Sequence, residues 1–284
     1  MRAFVPGYDL RTPPNLDEAL GMLDEGWHPI AGGTDLMVVF EAGKLAHKNL
    51  MSIWGLHELS GIEAIPSHLT LGALTTYTQV RRHALLHQEF PLLGLAAGWT
   101  GGIATQNRGT LGGNIVNASP AADTPPALLV YDAELELISR AGSRWVPYAD
   151  FHTGYKTTLL RTGELLSRIR LPRSMAGWKQ YSRKVGTRKA QAISKVCLAA
   201  SARMNGDTVQ EIRIAIGSVA PTVIRCRAAE RSIEGRPITR ETIQAAANAL
   251  VKDIAPIDDI RSTERYRRQV AINLLGEFLE SVRT

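Results

Sequence analysis

Residues 108–123 read RGTLGGNIVNASPAAD, and the reading of this stretch decides the rest of the chain. Paired glycines let a backbone approach a ligand closely and adopt positive φ, so that successive N–H groups can converge on an anion such as a diphosphate. Asn114, Asn117 and Asp123 add the amide and carboxylate partners that a hydroxyl-rich ribityl or ribose chain requires, and Thr110 and Ser119 add hydroxyls. A second stretch of the same character, AGGTDL at residues 31–36, lies far upstream and carries Thr34. Either glycine pair alone could simply make a turn. Together they point to a nucleotide-like ligand. Neither is GxGxxG or GxxxxGK[ST], which disfavours a plain NAD dehydrogenase and a nucleotide kinase.

The chain has 284 residues, 44% hydrophobic and 21% charged, enough for two or three compact units. Its net charge of +6 is spread along the chain without basic blocks, so a nucleic-acid partner is not expected. Two cysteines, Cys197 and Cys226, cannot assemble a disulfide framework or a four-thiolate iron–sulfur site. Any such cluster would sit on a partner. The opening MRAFVPGYDLRTP has no long apolar core and no run is long enough to cross a bilayer, so the expected compartment is the cytoplasm.

Periodicity places a helix after Asn15, with Leu16, Ala19, Leu20 and Leu23 on one face and Asn15 as N-cap. The segment ALLHQEFPLLGLAAGW reads as helical, and Thr124 before Pro125 and Pro126 reads as a helix start that leads into the strand-like AELELIS. RWVPYADF and LLSRIRLP read as strands. VCLAASARM and VQEIRIAIGSVA read as a hairpin turning at Asn205-Gly206. Three helical segments close the chain, with start signals at Thr239 and at Ser262 or Thr263.

Other candidates carry less. His83 and His87 share a helical spacing but lack an HExxH glutamate, and read as surface helix. Cys197, in an apolar strand, reads as buried. Cys226, between Arg225 and Arg227, reads as solvated surface. With no Ser-His-Asp set and no paired carboxylates, no catalytic residue and no metal ligand is assigned, and the chemistry is expected to belong to a cofactor.

AGGTDL, LGALTTYTQV, NRGTLGGNIVNASPAAD, LLSRIRLP and KVGTRKAQAISKV, in that order, resemble the FAD-binding medium subunit of the molybdenum hydroxylases, the xanthine dehydrogenase and carbon monoxide dehydrogenase group. The resemblance covers essentially the whole chain. It implies an α+β, vanillyl-alcohol-oxidase-type (PCMH-type) fold. Residues 1–55 would form an N-terminal α/β FAD-binding lobe and 56–173 an antiparallel-sheet FAD-binding lobe. Residues 174–284 would form a C-terminal domain of the carbon monoxide dehydrogenase flavoprotein type, with a small antiparallel sheet and helices.

Carried onto this sequence, the resemblance wraps Ile30, Ala31, Gly32, Gly33, Thr34, Asp35 and Leu36 around the FAD diphosphate. Thr110, Gly112, Gly113 and Asn114 form a second wall, and Asn117 and Asp123 match positions that touch FAD. Leu165 and Leu166 match apolar contacts at a strand end, and Lys184 matches a lysine beside the isoalloxazine; a plain solvated strand residue is the alternative for Lys184. Relatives commonly carry arginine where this chain has Gln106.

The implied role is electron transfer: from a substrate at a molybdopterin centre on a large subunit, through 2Fe-2S clusters on a small subunit, to FAD here, and on to NAD, oxygen or another acceptor. A heterotrimer, or a heterohexamer of two such units, is the implied assembly. FHTGYKTT and APTVIRCR are similar to the xanthine or N-heterocycle branch, which implies a purine or other N-heterocycle as substrate of the complex. Two readings stay open at this point: a flavin oxidoreductase that turns over alone, and a docking subunit without FAD.

Overall fold

The computed structural model describes residues 7–188 and 191–283; the first six residues of the opening segment, and Lys189 and Ala190 of the KVGTRKAQAISKV segment, lie outside the described residues. Three sheets of more than two strands organise the chain. The first is parallel: Asn49–Ser52 lies between Asp9–Arg11 and His28–Ile30. Its helix, Leu16–Asp24, starts where Asn15 accepts from the Glu18 amide at 2.9 Å. Ala19 and Leu20 pack there against Trp27, Met51, Ile53 and Leu56.

The second sheet is antiparallel, in the order Ile62–Ala64, His68–Gly72, Leu165–Pro172, Glu134–Ser139, Gly142–Pro147. Between its strands His68–Gly72 and Glu134–Ser139 the chain makes six short helices. The helical run expected over residues 84–99 is two helices, Ala84–Glu89 and Pro91–Trp99. Pro91 begins the second because its ring and missing N–H end the first. RWVPYADF is a strand only to Pro147, after which Tyr148–Asp150 make a single 3-10 turn.

The third sheet is antiparallel, Lys179–Val185, Val196–Asn205, Thr208–Gly217 and Ile224–Arg225, followed by helices Arg227–Ile233, Arg240–Asp253 and Glu264–Val282. Its hairpin turns at Gly206-Asp207, one residue later than expected, because Asn205 pairs with Thr208 and Gly206 takes φ +55°. The strand Val196–Asn205 is buried on both faces. Ala199 and Ala215 face the second unit, while Leu198, Ala200, Ile212 and Ile214 face the terminal helices. Arg225, 5% exposed, binds Glu230, 4% exposed, and reaches Asp132 at 2.7 Å and the Leu129 carbonyl at 3.1 Å. This fastens the end of the helix Pro125–Val130 to the third sheet.

Cys226 is fully buried, contrary to the expected surface position. Its amide donates to the Ile214 carbonyl at 2.8 Å, which draws it into the apolar core beneath the third sheet. Burial pushes its thiol well up, against the opposing pull of Arg225.

Candidate functional site

The first glycine loop follows the strand His28–Ile30 directly. Gly33 turns the chain at φ +74° and the helix Leu36–Glu41 begins three residues on. Among the described residues, the amides of Gly32, Gly33, Thr34, Asp35 and Leu36 have no protein acceptor. The loop therefore offers a run of free donors, which is the equipment for an anion. His28, stacked on His47 with ring centroids 3.8 Å apart, is held down at about 4, by burial first and then by the second imidazole.

The second loop is built differently. Its amides are spent inside the protein: Leu111 donates to the Thr75 carbonyl and Gly112 to the Ala73 carbonyl, each at 2.9 Å, and Gly113 to the Thr110 hydroxyl at 3.0 Å. These bonds fix the start of the helix Leu111–Val116. A Cβ on Gly112 would lie 2.8 Å from the Ala73 carbonyl oxygen, and one on Gly109 would lie 2.6 Å from the Tyr77 ring. Glycine is required at both positions for close packing.

The two loops touch. A Cβ on Gly32 would lie 1.7 Å from the Arg108 carbonyl oxygen, so only a glycine lets these backbones meet. Farther along, the Asn117 amide donates to Asp35 at 3.0 Å and accepts from Lys156, tying the end of the second helix to the first loop. Asn114 accepts from the Thr124 hydroxyl at 2.6 Å.

At the far end of the second loop, Asp123 meets Lys184 at 2.6 Å; their side chains are 9% and 10% exposed. Lys184 also donates to the Trp99 carbonyl at 3.2 Å, so the solvated-strand alternative fails. The other carboxylate oxygen of Asp123 is buried without a partner. Burial lifts Asp123 to about 6, with Lys184 pulling the other way. The docking is secured by the Ser218 amide, which donates to the Pro120 carbonyl at 2.7 Å.

Leu165 and Leu166 are both buried on the strand Leu165–Pro172, against which the helix Leu111–Val116 packs, but they point into different cores. Gln106 is buried. It accepts from Arg81 at 2.6 Å and donates to the Gly98 carbonyl at 3.0 Å, so a neighbouring helix supplies a guanidinium beside it. Three contributors were not legible in advance: the Trp99 carbonyl, Lys156 and Tyr77. The Gly101-Gly102 pair beside Trp99 is the one signal that could have marked the first.

The arrangement fits a group with a diphosphate, hydroxyls and a planar ring. Free amides meet the anion, glycine backbones admit it, and a buried carboxylate–ammonium pair closes the far end. Fold and site together define a flavin-nucleotide-binding protein.

Residues 6–174 match the family described as FAD binding domain in molybdopterin dehydrogenase, and residues 181–282 the carbon monoxide dehydrogenase flavoprotein C-terminal domain. The chain is 33% identical to the xanthine dehydrogenase FAD-binding subunit of Escherichia coli O157:H7 over 242 residues, 84% of this chain and 82% of that one. It is 30% identical to the carbon monoxide dehydrogenase medium chain of Hydrogenophaga pseudoflava over 283 residues, 97% of each. Among solved structures, carbon monoxide dehydrogenase from H. pseudoflava lacking the Mo-pyranopterin moiety superposes with a TM-score of 0.93 at 30% identity, covering 98% of this chain and 97% of that one. Quinoline 2-oxidoreductase from Pseudomonas putida 86 superposes with a TM-score of 0.91 at 26% identity, covering 98% and 97%. The chain belongs to the FAD-binding medium subunits of the molybdenum hydroxylases, oxidoreductases of the xanthine and carbon monoxide dehydrogenase family. Its cofactor is FAD.

Proposed function

We propose that this chain receives electrons from iron–sulfur clusters on a small partner subunit, which takes them from a molybdopterin-binding large subunit, and passes them through FAD to an external acceptor. The observation that carries the reading is the meeting of the two glycine loops at Gly32 and Arg108, continued to the Asp123–Lys184 pair. These residues make one cofactor site that draws on all three units of the chain. Both cysteines are buried in apolar surroundings, which leaves them unsuited to holding a cluster that must exchange electrons with a neighbour.

FAD, when bound, supplies the change from two-electron to one-electron chemistry. The protein's part is to hold and tune it. Gly32, Gly33, Thr34, Asp35 and Leu36 would take the diphosphate on their free amides, with Ile30 and Ala31 leading the chain from the strand into the loop. Thr110, Gly112, Gly113, Asn114 and Asn117 would form the opposite wall, Leu165 and Leu166 an apolar backing, and Asp123 and Lys184 the charged end beside the ring. Divisions at Leu56 and Arg173 would separate two FAD-binding lobes from a docking domain. The acceptor class we favour is a soluble one, such as NAD or oxygen, in the cytoplasm.

For the complex as a whole we propose a purine or other N-heterocycle as substrate, supported by the FHTGYKTT and APTVIRCR segments and by the likeness to xanthine dehydrogenase and quinoline 2-oxidoreductase chains. The test is to mix the chain, alone and co-expressed with large and small partner subunits, with xanthine, quinoline or carbon monoxide without oxygen. Flavin bleaching by a heterocycle in the complex and none in the isolated chain is the expected result. Bleaching of the isolated chain would instead establish a self-sufficient flavin oxidoreductase.

A further inference from the structure

The buried pair of Asp123 and Lys184 contains an atom with nothing to do. Asp123 gives one oxygen to Lys184 and leaves the other desolvated and without a partner, an arrangement that costs stability. The titratable groups that face this carboxylate from other elements are few. Lys184 comes from the strand Lys179–Val185, Cys197 from the strand Val196–Asn205, and Tyr77 from the helix Tyr77–Arg82. Cys197 pairs in register with Lys184 and is itself fully buried. Asp123 pushes both the Cys197 thiol and the Tyr77 phenol up, after burial has done most of that work, so both stay protonated. With both protonated, Asp123 is the group of this cluster, among the described residues, whose titration burial has moved towards neutral pH.

Resting on the FAD reading above, we propose that Asp123 is a proton-accepting partner of the flavin: when the bound cofactor gains negative charge, Asp123 takes a proton from solvent onto its unpartnered oxygen. The balance is simple. Two electrons and one proton convert the oxidised cofactor to its singly protonated reduced form, which carries one more negative charge. A second proton converts the Asp123 carboxylate to the acid. Lys184 is then released from its counter-ion, and its full positive charge faces the added electron density. Two electrons are thus matched by two protons, and the site's net charge does not change. In the cofactor-free chain burial holds Asp123 at about 6, above the usual carboxylate range, so a negative charge gained nearby favours its protonation. Asp123 acts here through charge and through Lys184, and its role is one of tuning.

The test counts protons. The flavin midpoint potential of the FAD-loaded chain is measured from pH 6.5 to 8, and its slope with pH, twice as steep for two protons per two electrons as for one, gives the count. The wild-type chain should take up close to two protons per two electrons, while Asp123→Asn and Lys184→Met should each take up one, the second because an unpaired buried Asp123 is already protonated. A shifted potential with an unchanged count of two in Asp123→Asn would overturn the proposal and leave Asp123 a purely structural tether for Lys184. Should the variants lose FAD, the wild-type count decides, since one proton per two electrons overturns the proposal by itself. A chain that never carries FAD would overturn both this inference and the reading beneath it; a flavin-loaded chain with the wrong count overturns this inference alone.

Discussion

At Gly33 the backbone runs at φ +74°, a region that branched residues avoid, while the nearest atoms to an added Cβ are flexible side chains of Ile30 and Met37 at 3.5 Å. Gly33→Val is therefore expected to change the path of the free amides without unfolding the chain. Flavin retention should be lost while far-UV circular dichroism stays as in the wild type; stoichiometric FAD in the variant would count against the loop. Gly32→Ala should act by another route, because its methyl would collide with the Arg108 carbonyl and part the two loops. Asp123 yields a pH prediction with a definite sign. Its folded value of about 6 lies above the ~3.9 of an unfolded aspartate. The folded state thus binds the extra proton between these values, and this group's contribution to stability falls as pH rises through that window. In the cofactor-free chain, the urea midpoint of Asp123→Asn relative to wild type should rise between pH 4 and pH 7; a difference that is flat or falling would contradict the burial argument. The sequence pointed to these residue types as candidate ligands for a nucleotide. The free oxygen of Asp123 was not, because burial is set by strands that arrive from the far end of the chain.

The elements show where local chemistry suffices. Asn15, Thr239 and Thr263 accept from the amides of Glu18, Thr242 and Tyr266, as their positions ahead of apolar runs suggest. Thr263→Ala removes the cap of the longest helix and should cost about 1 kcal/mol in urea unfolding. Thr124 is a different case. It precedes two prolines as a helix start should, yet its hydroxyl goes to Asn114 and caps nothing. Salt bridges must be ranked by burial. The exposed pair of Arg203 and Glu211 should contribute between about 0 and 1 kcal/mol, whereas Arg225→Ala would leave the buried Glu230 with only the Ile214 amide and the exposed Arg227 and should cost roughly 3–5 kcal/mol. Equal losses on Glu211→Ala and Arg225→Ala would contradict that ranking. Cys226 was misread for the same reason: flanking arginines suggest water, but Arg225 turns to Glu230 and Asp132 and leaves the cysteine in the core.

Across the whole molecule, order along the chain and order in space part company. The proposed cofactor site draws on a loop near the start, a loop in the middle and a strand of the third sheet, and no local pattern announces that Gly32 meets Arg108 or that Lys184 reaches Trp99. What was legible is the family pattern spanning these segments, which brings the segments together without giving their contacts. The near-continuous apolar run VCLAASA shows the limit of periodicity. It lacks alternation because the core beneath the second sheet covers one face and the terminal helices the other, so residues 196–202 are buried on both. The account stands on one cofactor held in one place. Its most direct test is the visible absorption spectrum of the purified chain, alone and co-expressed with its partner subunits, with the released chromophore identified by chromatography. Flavin bands and released FAD near one per chain are predicted. A colourless chain in both preparations would contradict the account and leave a docking subunit in its place.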